Sequence, residues 1–279
     1  MKKLVISCLA LLTMLPIAFA QDRSDVKAQV KELRDAIRSE RQSSRGQLQT
    51  DAKAVSLAAA SVTAADVGEP DSFGKNAQFM GIAQSGIVLI DPTCDPVDIG
   101  PLGPDDHCIT VADPSIPVPS TTFNDIARIT LPGKSASNIV YVISNNTVSF
   151  SMFNPGPAPT QARITYIPTL TIESEALNDP SLINPVTGLP FNGSFTSGIG
   201  GTYLTNKTLA VGASEFFTHS YSRANTTGLS KAFFQGLGLP DNVIKELYKK
   251  PMTLRLNVIV SSRWVDSATL LLTARFLGN

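Results

Sequence analysis

Charge is scarce and balanced in this chain of 279 residues: 23 basic and 23 acidic side chains give a formal net charge of zero, and charged residues make up only 16%. Such a chain has no field to hold a polyphosphate backbone, which excludes nucleic acid as a partner. Histidine is nearly missing, with two in the whole sequence, and tryptophan occurs once. No G-x-S-x-G elbow, H-E-x-x-H helix or G-x-x-x-x-G-K-[ST] loop is present, so the usual nucleophilic, zinc-hydrolase and phosphate-loop chemistries lack their participants. No C-x-x-C pair stands beside the three cysteines, and nothing in the pattern implies a metal or a cofactor. No repeat of fixed period appears, which disfavours solenoids and propellers. With 43% hydrophobic residues and a mean hydropathy of +0.09, the chain can bury a real core, and its length fits one or two domains.

What is present begins with an address. Met1-Lys2-Lys3, an apolar run from Leu4 to Phe19 and the small residues Ala18 and Ala20 read as a signal peptide over 1–20. The run is shorter than the roughly 20 residues of a spanning helix, and no later window reaches that length unbroken, so no transmembrane segment is expected. The expectation is an exported protein, periplasmic or extracellular, in a bacterial host. Loss of the leader removes Cys8 and leaves Cys94 and Cys108, whose default state outside the cytoplasm is a disulfide.

Residues 21–67 read as a helical arm. Eight Lys/Arg and six Asp/Glu lie between Asp22 and Lys53, with no proline, and Val26, Val30, Leu33 and Ile37 step by four, three and four along one stripe. The stripe fails at Glu40 and Ser44. Either the arm is a solvated helix or stalk, or the stripe is an assembly surface for a second copy or another envelope protein.

From Asn76 onward the period changes to two, and proline, glycine and asparagine punctuate the chain. Met80–Ile90 is a first strand, with imperfect alternation. Ile139–Ile143 and Val148–Phe153 flank Asn145-Asn146, a pair suited to a tight hairpin. Ile164, Tyr166, Leu170 and Ile172 share a face, and Pro168 within that run predicts an edge strand or bulge. Leu254–Val260 and Ala268–Phe276 alternate cleanly and predict a closing hairpin. Short helices are expected over Leu229–Leu237 and after Leu239-Pro240-Asp241, where proline and aspartate start and Lys249-Lys250 stop the element. Together these give a mainly β fold, an antiparallel β-sandwich of jelly-roll-like or other two-sheet form over 68–279. Residues 91–119 form a Pro/Asp-rich disulfide loop with seven prolines.

Candidate chemistry is sparse. If residues 216–221 form a strand, Phe217, His219 and Tyr221 share a face: either a half-buried structural face or a stacking surface for a sugar or peptide ligand. Ser214, Glu215 and His219 have no spacing that signifies a triad. Glu173 and Glu175 at a strand end would lie about 7 Å apart on one face, whereas a glycosidase needs carboxylates across a cleft. Six aspartates, Asp91, Asp95, Asp98, Asp105, Asp106 and Asp113, surround the cysteines, without the calcium-loop pattern D-x-D-x-D-G. The N-x-[ST] triplets at Asn145, Asn192, Asn206 and Asn225 read as ordinary turn and strand positions. The reading is an exported, non-enzymatic structural or interaction module of the envelope or extracellular space. The alternative is a carbohydrate- or peptide-binding module or a glycan-acting enzyme of the cell surface.

Overall fold

The computed structural model describes residues 78–199 and 201–278, together with Ala28 and Glu32, which are both helical and exposed. The stripe Val26, Val30, Leu33 and Ile37 lies outside the described residues. In chain order the elements are β1 (Gln78–Asp91), α1 (Pro96–Ile99), β2 (His107–Thr110), β3 (Val118–Leu131), β4 (Ile139–Phe153), β5 (Thr160–Glu173), a 3-10 turn (Glu175–Leu177), β6 (Ser194–Gly198), β7 (Tyr203–Leu209), β8 (Ser214–Ser230), α2 (Lys231–Gly236), α3 (Asp241–Lys249), β9 (Met252–Arg263) and β10 (Val265–Gly278). The protein is mainly β. One five-stranded sheet runs β2-β1-β10-β4-β8, and the second runs β3-β9-β5-β6, with β7 also paired to β5.

Alternation explains the arrangement. On β9, Leu254, Leu256, Val258 and Val260 point to the core; on β10, Ala268, Leu270, Leu272, Ala274 and Phe276 do the same from the other sheet. Both sets belong to one hydrophobic cluster that also takes Phe150 and Met152 of β4 and Ile164, Leu170 and Ile172 of β5. The two sheets thus face each other across a shared core, in a β-sandwich-like arrangement. Truncating a fully buried member such as Leu270 costs about 2–5 kcal/mol in comparable cores.

Three expectations from the alternation are corrected here. The closing pair is not a hairpin: β9 pairs with β3 and β5, while β10 pairs with β1 and β4. The single residue between them, Trp264, has φ +58°, and the chain crosses there from one sheet to the other. Alternation reports which face is buried and says nothing about the neighbour. Asn145-Asn146 makes no turn either, because β4 runs uninterrupted between β10 and β8 with both asparagines in register. Asn146 faces the core and is 2% exposed. Pro168 sits in a strand flanked on both sides, yet it falls where the second edge of β5 changes partner, between β7 at Tyr166 and β6 at Thr169. A residue without an N–H costs least at such a junction.

The disulfide loop covers the back of the first sheet. Cys94 and Cys108 are bridged, and beside them Ile87, Leu89 and Ile99 form a second small cluster. The β1 segment Ile87–Ile90 is therefore buried on both faces, which is why its alternation is imperfect. Loop and strand lie so close that a Cβ on Gly86 would collide with the backbone carbonyl of Asp105. Asp106 ties the two together, accepting from the amides of Ile87 at 2.8 Å and Gly103 at 2.7 Å.

Candidate interaction site along the β8 edge

The 17-residue strand β8 is the last of its sheet. It pairs with β4 on one side, and among the described residues no strand lies on its other side. Its register sets Phe217 opposite Phe150, His219 opposite Val148 and Tyr221 opposite Asn146. Directly opposed residues share a face, so all three rings point to the inner side of the sheet, at its rim.

The second sheet supplies the counterpart. Tyr203 of β7 lies opposite Tyr166 of β5, and their rings stack with centroids 4.7 Å apart and planes at 7°. The ring of Tyr221 is tilted against that of Tyr203, with centroids 4.8 Å apart. His219 follows at 5.9 Å from Tyr221, then Phe217 at 6.3 Å from His219. Phe217 and His219 also contact Phe150, at 5.4 and 5.7 Å. Lys207 closes the row, its Nζ 5.4 Å from the centre of Phe217 and 2.9 Å from Glu215. A continuous aromatic row thus links the two sheets along their open side. Most ring faces are taken up within it, and Tyr221, 37% exposed, presents the freest surface.

Polar atoms line the inner end. The hydroxyls of Tyr166 and Tyr203 and the side-chain amide nitrogen of Asn146 are buried without a hydrogen-bond partner among the described residues. Burial, followed by the neighbouring Tyr203 and Tyr221, pushes the Tyr166 phenol far above its ordinary range. It stays protonated, a hydrogen-bond donor rather than a base. The sequence pattern grouped Phe217, His219 and Tyr221; it missed Tyr203 and Lys207, which lie on a different sheet.

The carboxylates raised as acid or base candidates are each engaged by a basic side chain. Glu173 ends β5 and accepts from Arg255 at 2.8 Å, while Glu175 lies beyond the strand in the 3-10 turn, with Lys250 at 3.4 Å. Ser174 between them is extended, and both carboxylates border one open hollow beside Thr253; among the described residues no carboxylate stands across it from them. Glu215 is paired with Lys207, and adjacent Ser214 and Glu215 pair with Phe153 and Met152 in the ladder, so they point to opposite faces. In the disulfide loop the acids hold the chain itself: Asp91 accepts from the Thr93 and Cys94 amides, Asp95 caps α1 through Val97, and Asp113 accepts from the Ser115 amide. Among the described residues no cluster of three or more His, Cys, Asp or Glu could hold a metal ion. No described helix is long and apolar enough to cross a membrane.

No family model matches the chain, and no curated protein matches it. Among solved structures it is similar to the VP2 subviral particle of infectious bursal disease virus, with 10% identity, a TM-score of 0.21 and coverage of 57% of this chain and 28% of that one. The Gx strain of the same virus gives 11% identity, a TM-score of 0.21 and coverage of 57% and 27%. Its T13 viral particle gives 9% identity, a TM-score of 0.20 and coverage of 78% and 39%. The chain spans well under half the length of each of these. Likeness at this level carries no argument about fold or function.

Proposed function

We propose that this protein is an exported, non-enzymatic structural and interaction module of the cell envelope or extracellular space, which takes an extended peptide segment of a partner protein along β8. The observation that carries the reading is the 17-residue terminal strand whose outer edge has no neighbour among the described residues. Unpaired N–H and C=O groups on such an edge are a template for strand addition, and alternate side chains then give selectivity. The exposed Thr218, Ser220, Ser222 and Ala224 carry no charge to repel a further strand. Tyr221 offers a ring beside that edge.

The scaffold in this reading is a jelly roll. With the short β2 and β6 set aside, one sheet is β1-β10-β4-β8 and the other β3-β9-β5-β7, the order in which two Greek keys wrap onto each other. Residues 21–67 form the arm through which copies associate, with Val26, Val30, Leu33 and Ile37 as contacts. The engaged state of Glu173, Glu175 and Glu215 favours binding over glycan hydrolysis.

The test is a peptide-display selection on the full chain beside a glycan array. Enriched extended peptides should lose at least about ten-fold in affinity when Ser220→Lys and Ser222→Lys place charges on the edge. Glycans retained through Tyr221, with no peptide selected, would replace the peptide reading by the sugar-binding one.

A further inference from the structure

The outer face of the second sheet carries a second, chemically different site. At one end of that face Arg255 is paired with two acids, Asp125 at 2.9 Å and Glu173 at 2.8 Å. At the other end Arg163 of β5 and Arg263 of β9 stand directly opposite each other in the ladder. Both are exposed, and neither guanidinium has an ion pair among the described residues. Like charges directly across a sheet destabilise it unless something lies between them. Asn206 of β7 continues the same row beside Arg163.

These residues border a hollow of about 460 Å³, lined also by Gln161, Ser261 and Pro117, a size that fits a small polar ligand. Two guanidinium forks, two side-chain amides and the Ser261 hydroxyl make a donor-rich concavity without a carboxylate in its lining. Arginine forks match carboxylate, sulfate and phosphate oxygens bidentately.

We infer that this hollow binds an oxyanion, with Arg163 and Arg263 as its clamp and Gln161, Asn206 and Ser261 bonding the rest of the ligand. The same chemistry is met by the carboxylate of an acidic sugar and by free inorganic phosphate, and the experiment separates these sources. Calorimetric titration of the full chain at fixed ionic strength uses glucuronate, inorganic phosphate and, as neutral control, glucose. Saturable binding of either anion, absent for glucose and weakened at least about ten-fold by Arg163→Gln and by Arg263→Gln, supports the site. Binding of glucuronate alone assigns an acidic saccharide, and phosphate binding as tight assigns a free oxyanion. Without anion, the Gln variants should melt no lower than the unaltered chain, since a like-charge contact has been removed. Should they fail to fold, Arg163→Lys and Arg263→Lys keep the charge and lose the fork, and must show the same loss. No saturation by either anion at millimolar concentration, or binding indifferent to the substitutions, overturns the inference.

Discussion

Tyr248 shows how much one phenol can hold. Its hydroxyl lies 2.7 Å from the carbonyl oxygen of Leu229 and 2.9 Å from that of Asn138, so its single proton serves both and pins α3 to β8 and to the start of β4. Tyr248→Phe leaves those carbonyls short of a donor and should lower stability by about 1–2 kcal/mol at neutral pH, read from urea denaturation. Burial raises the Tyr248 phenol above its ordinary value of 10.0, and burial with neighbouring phenols raises Tyr166 likewise. For an acid whose folded-state value is raised, stability is complete below the unfolded value and is lost as pH rises toward the folded one. Urea midpoints should therefore hold steady to about pH 10 and fall above it, with a shallower fall in Tyr248→Phe.

At the scale of elements, the disulfide loop does two jobs. It covers Ile87, Leu89 and Ile99, and through β2, which pairs in parallel with Val88–Asp91, it closes the edge of β1 that would otherwise be open. The bridge Cys94–Cys108 spans a sequence separation of 14, and replacing both cysteines by alanine should cost about 3 kcal/mol through the freed unfolded chain. Denaturant titration measures the cost. Hydrogen exchange should place the first loss of protection in Ile87–Ile90 and β2. Protection unchanged there, with loss spread over both sheets, would show that the small cluster is not held by the bridge. Among the described residues the opposite end of the same sheet has no such cover, and the strand-addition reading of β8 rests on that contrast.

For the whole molecule, assembly and folding should be separable. The shared core lies between the two sheets from β1 onward, while the candidate assembly stripe lies in the arm before it. Leu33→Asp should therefore reduce self-association, measured by light scattering on the full chain, and leave the melting temperature of the β portion unchanged. A monomer both before and after the substitution removes the assembly role of the arm. An altered melting temperature shows that Leu33 packs on the core.

What the sequence determines by itself is local. Period-two alternation located β1, β5, β9 and β10 and their buried faces, proline and lysine chemistry bounded α3, and the expected pairing of Cys94 with Cys108 matched the observed bridge. It also grouped Phe217, His219 and Tyr221, because residues two apart on a strand must share a face. Partner choice was decided by tertiary structure. Adjacent β9 and β10 separate into different sheets, since two apolar faces are buried equally well across a core as side by side. Asn145-Asn146 stays extended because neighbours on both flanks satisfy its backbone, overriding a turn preference worth far less. Tyr203 meets Tyr221, and Arg163 meets Arg263, only through strand pairings and sheet packing that bring distant segments together. No periodicity in a single sequence encodes such meetings, because the energy that selects them is shared among many contacts of the closed core.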